Sequence, residues 1–383
     1  MLGNAGPVPL RRAAMAILDQ HRADLAALGR RDRLRRLIPR AGVDFASNDY
    51  LGLAGSARLA DSVAAAVARG VPVGSGGSRL LRGNHHEHEA LEAEAAAFFG
   101  AESALFFSSG YAANSTLVAA LPRRGDLVVH DELIHASAHE GMRTGRADRA
   151  SAAHNDVTAF AGAIRDWRAR GGRGRVWIAV ESLYSMDGDR APLADLAALA
   201  DAEDAFLLVD EAHATGVFGP HGRGLAAGLE GRENVVTLRT CGKALGCEGA
   251  LVCAPKVITD FLVNRGRGFI FSTAPSPLMA AAVRAALALV RDEPELRRNL
   301  AALIDHAAAC GLPATGSQIL PVIIGDDART MEIAAALQAD GFDVRGIRPP
   351  TVPGGTSRLR ISLTLNATPA DVTALADRLK ALL

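Results

Sequence analysis

An α/β fold, with a large mainly parallel sheet and a smaller α+β unit behind it, is predicted by three observations. Between residues 87 and 254, short apolar runs alternate with amphipathic stretches of ten or more residues. Polar residues gather at the carboxyl ends of those runs. After a long helical stretch at 276–292 the pattern changes to a helix, a strand, a helix, two strands and a last helix. Apolar runs interleaved with helices indicate parallel strands covered on both faces. The organisation expected is an N-terminal helical arm at 1–47, a large domain at 48–283 and a small domain at 284–383.

The elements follow in order. Residues 11–36 have helical spacing, closed by Ile38-Pro39. Residues 45–53 mix turn formers with apolar residues and read as a strand passing into a loop, and 57–69 is helical. Gly74-Ser-Gly-Gly-Ser-Arg79 is a flexible loop. A helix at 87–99, a strand at 104–107, a helix at 111–121 and a strand at 127–130 begin the alternation. It continues with strands at 176–180 and 206–209 around a helix at 193–202, then strand-like residues from Leu238 and a strand at 249–254. Residues 256–264 are helical and 269–273 extended. In the smaller unit, helices at 295–309 and 330–339 alternate with strands at 319–324, 344–347 and 358–363. Thr368-Pro-Ala-Asp371 is a capping box with proline in the first turn, opening the terminal helix.

Composition narrows the function. Acidic and basic residues balance at 42 each, so no global field favours nucleic acid or an anionic membrane. The four cysteines, Cys241, Cys247, Cys253 and Cys310, lack the spacing of a zinc site or a disulfide framework, and a cytoplasmic protein without a metal is expected. No apolar run reaches the length of a membrane span.

Of the 42 basic residues only Lys243, Lys256 and Lys380 are lysines. A chain that meets nearly every need for positive charge with arginine, yet keeps Lys243 between Gly242 and Ala244, needs there an amine that can lose its proton; arginine cannot. In a parallel sheet, ligands sit beyond the carboxyl ends of the strands. Those ends carry Ser108-Ser109-Gly110 leading into a helix, His135, Glu181 to Asp189, and Asp210-Glu-Ala-His213, with Thr240 and Lys243 on a fifth. A strand-end carboxylate paired with a lysine some thirty residues on suggests a pyridoxal 5′-phosphate site. That cofactor needs a lysine to hold its aldehyde, an acid to keep its pyridine nitrogen protonated, and a cup for its phosphate.

The motifs together resemble the α-oxoamine synthases, fold-type-I pyridoxal-phosphate enzymes that condense an amino acid with an acyl thioester and release carbon dioxide. They are Ser47-Asn-Asp-Tyr-Leu-Gly-Leu53, the Gly74–Arg79 loop, His154-Asn-Asp-Val157, Ser185-Met-Asp-Gly-Asp189, Val209-Asp-Glu-Ala-His213, Thr240-Cys-Gly-Lys243 and the run from Arg348 to Arg360. They span residues 45–363 in family order. The last run resembles the subgroup that joins L-alanine to a pimeloyl thioester, carried on coenzyme A or acyl carrier protein, in biotin synthesis.

The resemblance implies roles. Lys243 would hold the cofactor and move the α-proton, Asp210 would face the pyridine nitrogen, His213 the phenolic oxygen with help from Ser185, and His135 the ring face. Ser109, Gly110, Tyr111 and Thr240 would receive the phosphate, joined by Ser272 and Thr273 from a second subunit of a homodimer. Arg360 would pair with the amino-acid carboxylate, where a bidentate fork is apt. Arg358, two residues away, would share its face on a strand, so the choice between them stays open. Arg35 and Arg348 are candidates for the distal carboxylate of the acyl chain, and Asn48 and Ser78 for substrate or thioester contacts. Ala214, Cys247 and Glu248 depart from the family pattern, and Glu248 would either alter the pocket or face solvent. Alternatives are a family member using glycine or serine with another acyl-CoA, or a protein that keeps the fold and binds without catalysis. A dinucleotide enzyme built on the Gly74 loop is disfavoured, because no strand leads directly into that loop.

Overall fold

A computed structural model describes residues 10–383, and side chains from Ile17 onward. The first nine residues of the expected arm, and the side chains of Arg11 and Arg12, lie outside the described residues.

Seven strands form the large sheet: β1 (Ser103–Phe107), β2 (Leu127–Asp131), β3 (Asp148–Ala152), β4 (Val176–Glu181), β5 (Phe206–Asp210), β6 (Val235–Thr240) and β7 (Ala250–Ala254). Their order is β1-β7-β6-β5-β4-β2-β3, parallel except for β7, which runs antiparallel to both neighbours. The central strands are apolar without alternation because helices cover both faces, and every residue of β2, β4 and β6 is buried. The edge strand β3, Asp-Arg-Ala-Ser-Ala, buries only its last residue, which is why its sequence carries little strand signal. Strand order reverses between β2 and β4, since the chain steps outward to β3 and returns to the other side of β2. Beyond the carboxyl ends at such a reversal a crevice opens.

A second sheet of three antiparallel strands, in the order β9-β10-β8, is built from β8 (Ile319–Gly325), β9 (Arg345–Ile347) and β10 (Ser357–Ser362). Helices Pro294–Ala309, Asp327–Ala339 and Pro369–Leu382 pack on it through Leu300, Ile333, Leu337, Leu375 and Leu379, in the same apolar cluster as Leu359 and Ile361 of β10. Burying each such side chain contributes about 1.5–3 kcal/mol. That cluster continues without a break into Leu251 and Val283, so the two sheets share a core. Before both sheets, Val43–Asp44 pairs in parallel with Phe342–Asp343 and ties the N-terminal segment to the smaller sheet.

Two expectations need correction. The N-terminal helix runs Leu10–Gly29 and not to residue 36. After it Asp32 takes a left-handed φ of 54°, and Arg33 is drawn to Asp327 at 2.7 Å, so the chain leaves helical geometry to reach the smaller sheet. Residues 269–273, expected to be extended, begin in a short helix, Arg267–Ile270. Phe269 is buried there, edge-on to Phe107 at 5.3 Å between ring centres, so packing outweighs the β-propensity of Phe-Ile-Phe.

Candidate active site

The crevice is lined by the carboxyl ends of β2, β4, β5 and β6. Asp210 ends β5, Thr240 ends β6, and Lys243 follows three residues later. Of the glycines around Lys243, Gly246 is the one the turn requires. Its φ is +65°, and a Cβ there would meet the Ala54 nitrogen at 2.4 Å. At Gly242 a Cβ would find only ordinary contacts, so that glycine does not fix the lysine.

Lys243 Nζ lies 2.7 Å from His213 Nε2, and the other ring nitrogen, Nδ1, lies 2.6 Å from Tyr50 Oη. Tyr50 Oη is also 2.9 Å from Asn48 Oδ1 and accepts a long contact of 3.5 Å from Arg360 Nη2. Burial holds His213 well below the usual histidine range, with the Lys243 charge adding to the effect. Burial likewise lowers the Lys243 amine to about 8, against the opposing pull of Asp210 and Glu181. An amine held that low is available as a base.

Asp210 accepts from Asn114 Nδ2 at 3.0 Å and from the Ala212 amide at 2.9 Å. The same Asn114 amide donates to Ser137 Oγ at 3.0 Å, and Ser137 Oγ lies 2.8 Å from His135 Nδ1. One asparagine therefore links the strand-end acid to the histidine on the next loop. Glu181 stands in register with Asp210 on the neighbouring parallel strand, so the two side chains leave the sheet on the same face. Burial, then the charge of Asp210, drives Glu181 well above the usual carboxylate range.

At the other end of the crevice Ser109 caps helix Gly110–Ala120, accepting from the Ala112 amide at 3.1 Å. The Ala113 amide is taken by the Ser109 carbonyl, which leaves the Gly110 and Tyr111 amides without an acceptor among the described residues. Thr240 Oγ1 stands 3.3 Å from where a Cβ on Gly110 would lie, so the hydroxyl and the helix end form one concave cup. Free amides at a helix N-terminus suit an anion.

Arg358 and Arg360 leave β10 on one face, as the two-residue spacing requires, but their surroundings differ. Arg358 Nη1 is paired with Asp187 Oδ1 at 2.5 Å. Arg360 has no carboxylate partner among the described residues: Nε donates to the Ser185 carbonyl at 2.6 Å and Nη1 to Ser362 Oγ at 2.7 Å. A cleft of about 530 Å³ leads outward past His135, Tyr184, Ser185 and Met186 to Arg35 and Thr351. Arg35 Nη2 donates to Thr351 Oγ1 at 3.0 Å. Arg348 sits nearby, facing Asp327, Arg33 and Arg35.

The chain matches the aminotransferase class I and II family over residues 40–379. It belongs to that family. Among relatives, the 8-amino-7-oxononanoate synthase of Anaeromyxobacter dehalogenans is 43% identical, with 97% of each chain covered. That of Burkholderia thailandensis is 44% identical over 94% of this chain and 96% of its own. Serine palmitoyltransferase from Sphingomonas wittichii superposes with a TM-score of 0.84 at 26% identity, covering 95% of this chain and 96% of that one. The 8-amino-7-oxononanoate synthase structure from Francisella tularensis gives 0.73 at 25% identity, covering 89% and 97%. The α/β architecture read from the sequence, a fold-type-I transferase fold, is the one this class I and II chain adopts.

Within this aminotransferase-family site the structure brings Lys243, His213, Asp210, His135, Thr240, Gly110, Ser185, Arg360 and Asn48 around one crevice. Three residues stand apart. Ser272 Oγ bonds only to the neighbouring Thr273 carbonyl, and Thr273 is exposed. Ser78 goes with them: the Gly77 carbonyl accepts from the Ala274 amide at 2.9 Å, and Ser75 Oγ donates to the Pro275 carbonyl at 2.5 Å, so the two loops form one surface. Glu248 is exposed, so it faces solvent and not the pocket. Ala214 is fully buried against Leu183 and Ile319, and Cys247 packs on the main core. Sequence reasoning gave no role to Tyr50, Asn114 or Glu181. For Glu181 a signal existed, since β4 and β5 both close on an acid after an apolar run; Tyr50 and Asn114 meet their partners only in the folded chain.

Proposed function

We propose that the chain catalyses the decarboxylative condensation of L-alanine with a pimeloyl thioester, carried on coenzyme A or acyl carrier protein, using pyridoxal 5′-phosphate. It works as a cytoplasmic homodimer whose sites lie at the interface. Residues 48–283 form the cofactor-binding unit, and residues 284–383 the smaller unit that bears Arg360. The observation that carries this reading is Lys243 Nζ at 2.7 Å from His213 Nε2, across the strand ends from Asp210.

The residues present fit the cofactor. The Gly110 and Tyr111 amides and Thr240 Oγ1 offer donors to a phosphate, with Ser109 shaping the turn. Burial raises the Asp210 carboxyl, opposed by the Lys243 charge and the Ala212 amide, and Asp210 would face a protonated ring nitrogen; His213 and Ser185 would serve the phenolic oxygen and His135 the ring face. Bound there, pyridoxal phosphate supplies an electron sink for negative charge at the α-carbon of an amino acid.

The protein groups then divide the work. Lys243 would hold the cofactor's aldehyde and, as a neutral amine, would take the α-proton and later return one to the product. His213 steers that amine, and Tyr50 fixes the ring of His213. Arg360 presents a fork free of any carboxylate to the alanine carboxylate; Arg358 is committed to Asp187. The cleft toward Arg35, with Arg348 near it, receives the acyl chain, and Asn48, bonded to Tyr50, is a further substrate contact. Ser78, Ser272 and Thr273 reach the site of the partner subunit. Carbon dioxide and the free thiol carrier leave.

The test is release of free thiol and carbon dioxide from a panel of amino acids and acyl thioesters. Product from L-alanine with pimeloyl-CoA or pimeloyl carrier protein is expected. Turnover confined to glycine or serine with a different acyl-CoA would overturn the assignment.

A further inference from the structure

The His154-Asn155 pair follows β3 and meets the turn that begins at Tyr184. Nδ1 of His154 is 2.9 Å from Asp131 Oδ1, and Nε2 is 2.7 Å from Asp189 Oδ2. A neutral imidazole has one nitrogen that only accepts, and here each nitrogen meets a carboxylate oxygen, so the ring is an imidazolium. Burial works against that charge, but the bonds to Asp131 and Asp189 outweigh it and raise the ring to about 10.

Asn155 completes the arrangement. Its amide donates to Asp131 Oδ2 at 2.8 Å and its Nδ2 to Asp189 Oδ2 at 2.8 Å. Its left-handed φ of 56°, which asparagine tolerates, lets consecutive residues address the same two carboxylates. The His154 amide is held by Glu132 Oε1 at 3.0 Å, and the ring stands edge-on to Tyr184, 4.4 Å between centres.

What this clamp holds is a turn. The Tyr184 amide donates to the Asp189 carbonyl and the Gly188 amide to the Tyr184 carbonyl, each at 2.9 Å. Between them the Ser185 carbonyl receives Arg360 Nε at 2.6 Å, and Asp187 receives Arg358. The contacts that start at His154 thus end on the guanidinium without a carboxylate partner.

We propose that His154, bound at both ring nitrogens, is a positioning residue for Arg360: it locks the Tyr184–Asp189 turn, and the turn sets the guanidinium at the angle that takes the amino-acid carboxylate. This rests on the assignment of Arg360 given above. The groups facing His154 are Asp131 from the end of β2, Asp189 and Tyr184 from the turn, and Glu132 and Asn155 from the loops beside it.

The test is steady-state kinetics of the holoenzyme for His154→Gln, Asp189→Asn and Arg360→Lys. His154→Gln and Asp189→Asn are expected to raise KM for the amino acid about tenfold, with KM for the acyl thioester and the cofactor Kd within about twofold. Asp189 is partly exposed, so its variant stays informative should His154→Gln fold poorly. Arg360→Lys reports on the underlying assignment: an unchanged amino-acid KM there would overturn the role of Arg360 itself. A raised KM for Arg360→Lys, with none for His154→Gln and Asp189→Asn, would overturn the positioning role alone. An equal rise in both KM values and in the cofactor Kd would reduce His154 to a general structural part and would also overturn it.

Discussion

The Tyr50 hydroxyl lies 2.6 Å from Nδ1 of His213. A buried ring kept neutral has one hydrogen, and Tyr50 has one proton to give. When Tyr50 donates to Nδ1, Nε2 carries the hydrogen and meets Lys243 as a neutral amine. When Tyr50 donates instead to Asn48 Oδ1, the ring changes tautomer and Nε2 accepts from the protonated amine. The tautomer of His213 therefore follows the protonation state of Lys243, 2.7 Å away, and the Tyr50 hydroxyl turns between Nδ1 and Asn48 Oδ1 to match it while keeping its own proton.

Replacing Tyr50 by phenylalanine keeps the ring in the core and removes this partner. Leaving a buried acceptor unpaired costs about 1–3 kcal/mol. The expected result is a fall in kcat of about tenfold or more, with the cofactor Kd changed less. Stopped-flow turnover and a cofactor titration check both parts; an unchanged kcat would show that Tyr50 does not set the His213 tautomer.

Lys243 gives a pH dependence with a definite sign. Its amine is lowered from 10.5 to about 8 in the cofactor-free fold, so between those values the unfolded chain binds the extra proton and stability rises with pH. The destabilising contribution is fully present below about 8 and gone above 10.5. Lys243→Ala should therefore unfold at higher urea than the parent at neutral pH, the gap closing across that window. The same variant should lose turnover and the visible absorbance of the lysine-bound cofactor. In the parent, the rate of cofactor capture should climb through about pH 8.

How far the sequence carried is clearest at particular residues. Val176–Glu181 and Phe206–Asp210 were legible because strands buried on both faces read as unbroken apolar runs, and their terminal acids marked the crevice. Lys243 was legible through the scarcity of lysine. The edge strand Asp148–Ala152 was not, since a strand at the border of a sheet need not be apolar. Arg358 and Arg360 could be placed on one face by spacing, but only the folded chain brings Asp187 to the first and leaves the second without a carboxylate among the described residues. Ser78 was a candidate for a substrate or thioester contact; that its loop joins the one carrying Ser272 and Thr273 is seen only in the backbone bond from the Ala274 amide to the Gly77 carbonyl.

Behind the crevice, Arg239 is fully buried on β6 with Glu211 Oε2 at 3.3 Å and Glu230 as a second partner, and its guanidinium lies over the Phe99 ring at 4.1 Å. The Glu211 side chain is as buried as the arginine and that of Glu230 nearly so. Removing the cation leaves them uncompensated, and breaking a buried pair costs about 3–5 kcal/mol. Arg239→Leu should lower the unfolding free energy read from urea melts by that amount, while Arg175→Leu, whose partner Asp204 is on the surface, should change it by less than about 1 kcal/mol.

Sharing of the site between subunits can be decided by mixing two inactive variants. Ser272 and Thr273 make no bond to their own crevice, and the surface they share with Ser78 also exposes Phe271 and Leu81. A Ser272→Asp/Thr273→Asp chain would bring negative charge against the phosphate and should be inactive, as should Lys243→Ala. If the serine and threonine serve the partner's site, a mixed dimer has one site with both defects and one with neither. Random exchange then restores about a quarter of parent activity, because half the dimers are mixed and each has one intact site. If the loop serves its own Lys243, every site in the mixed dimer keeps one defect and activity stays at the level of the separate variants. The mixture therefore separates the two arrangements by whether activity returns at all.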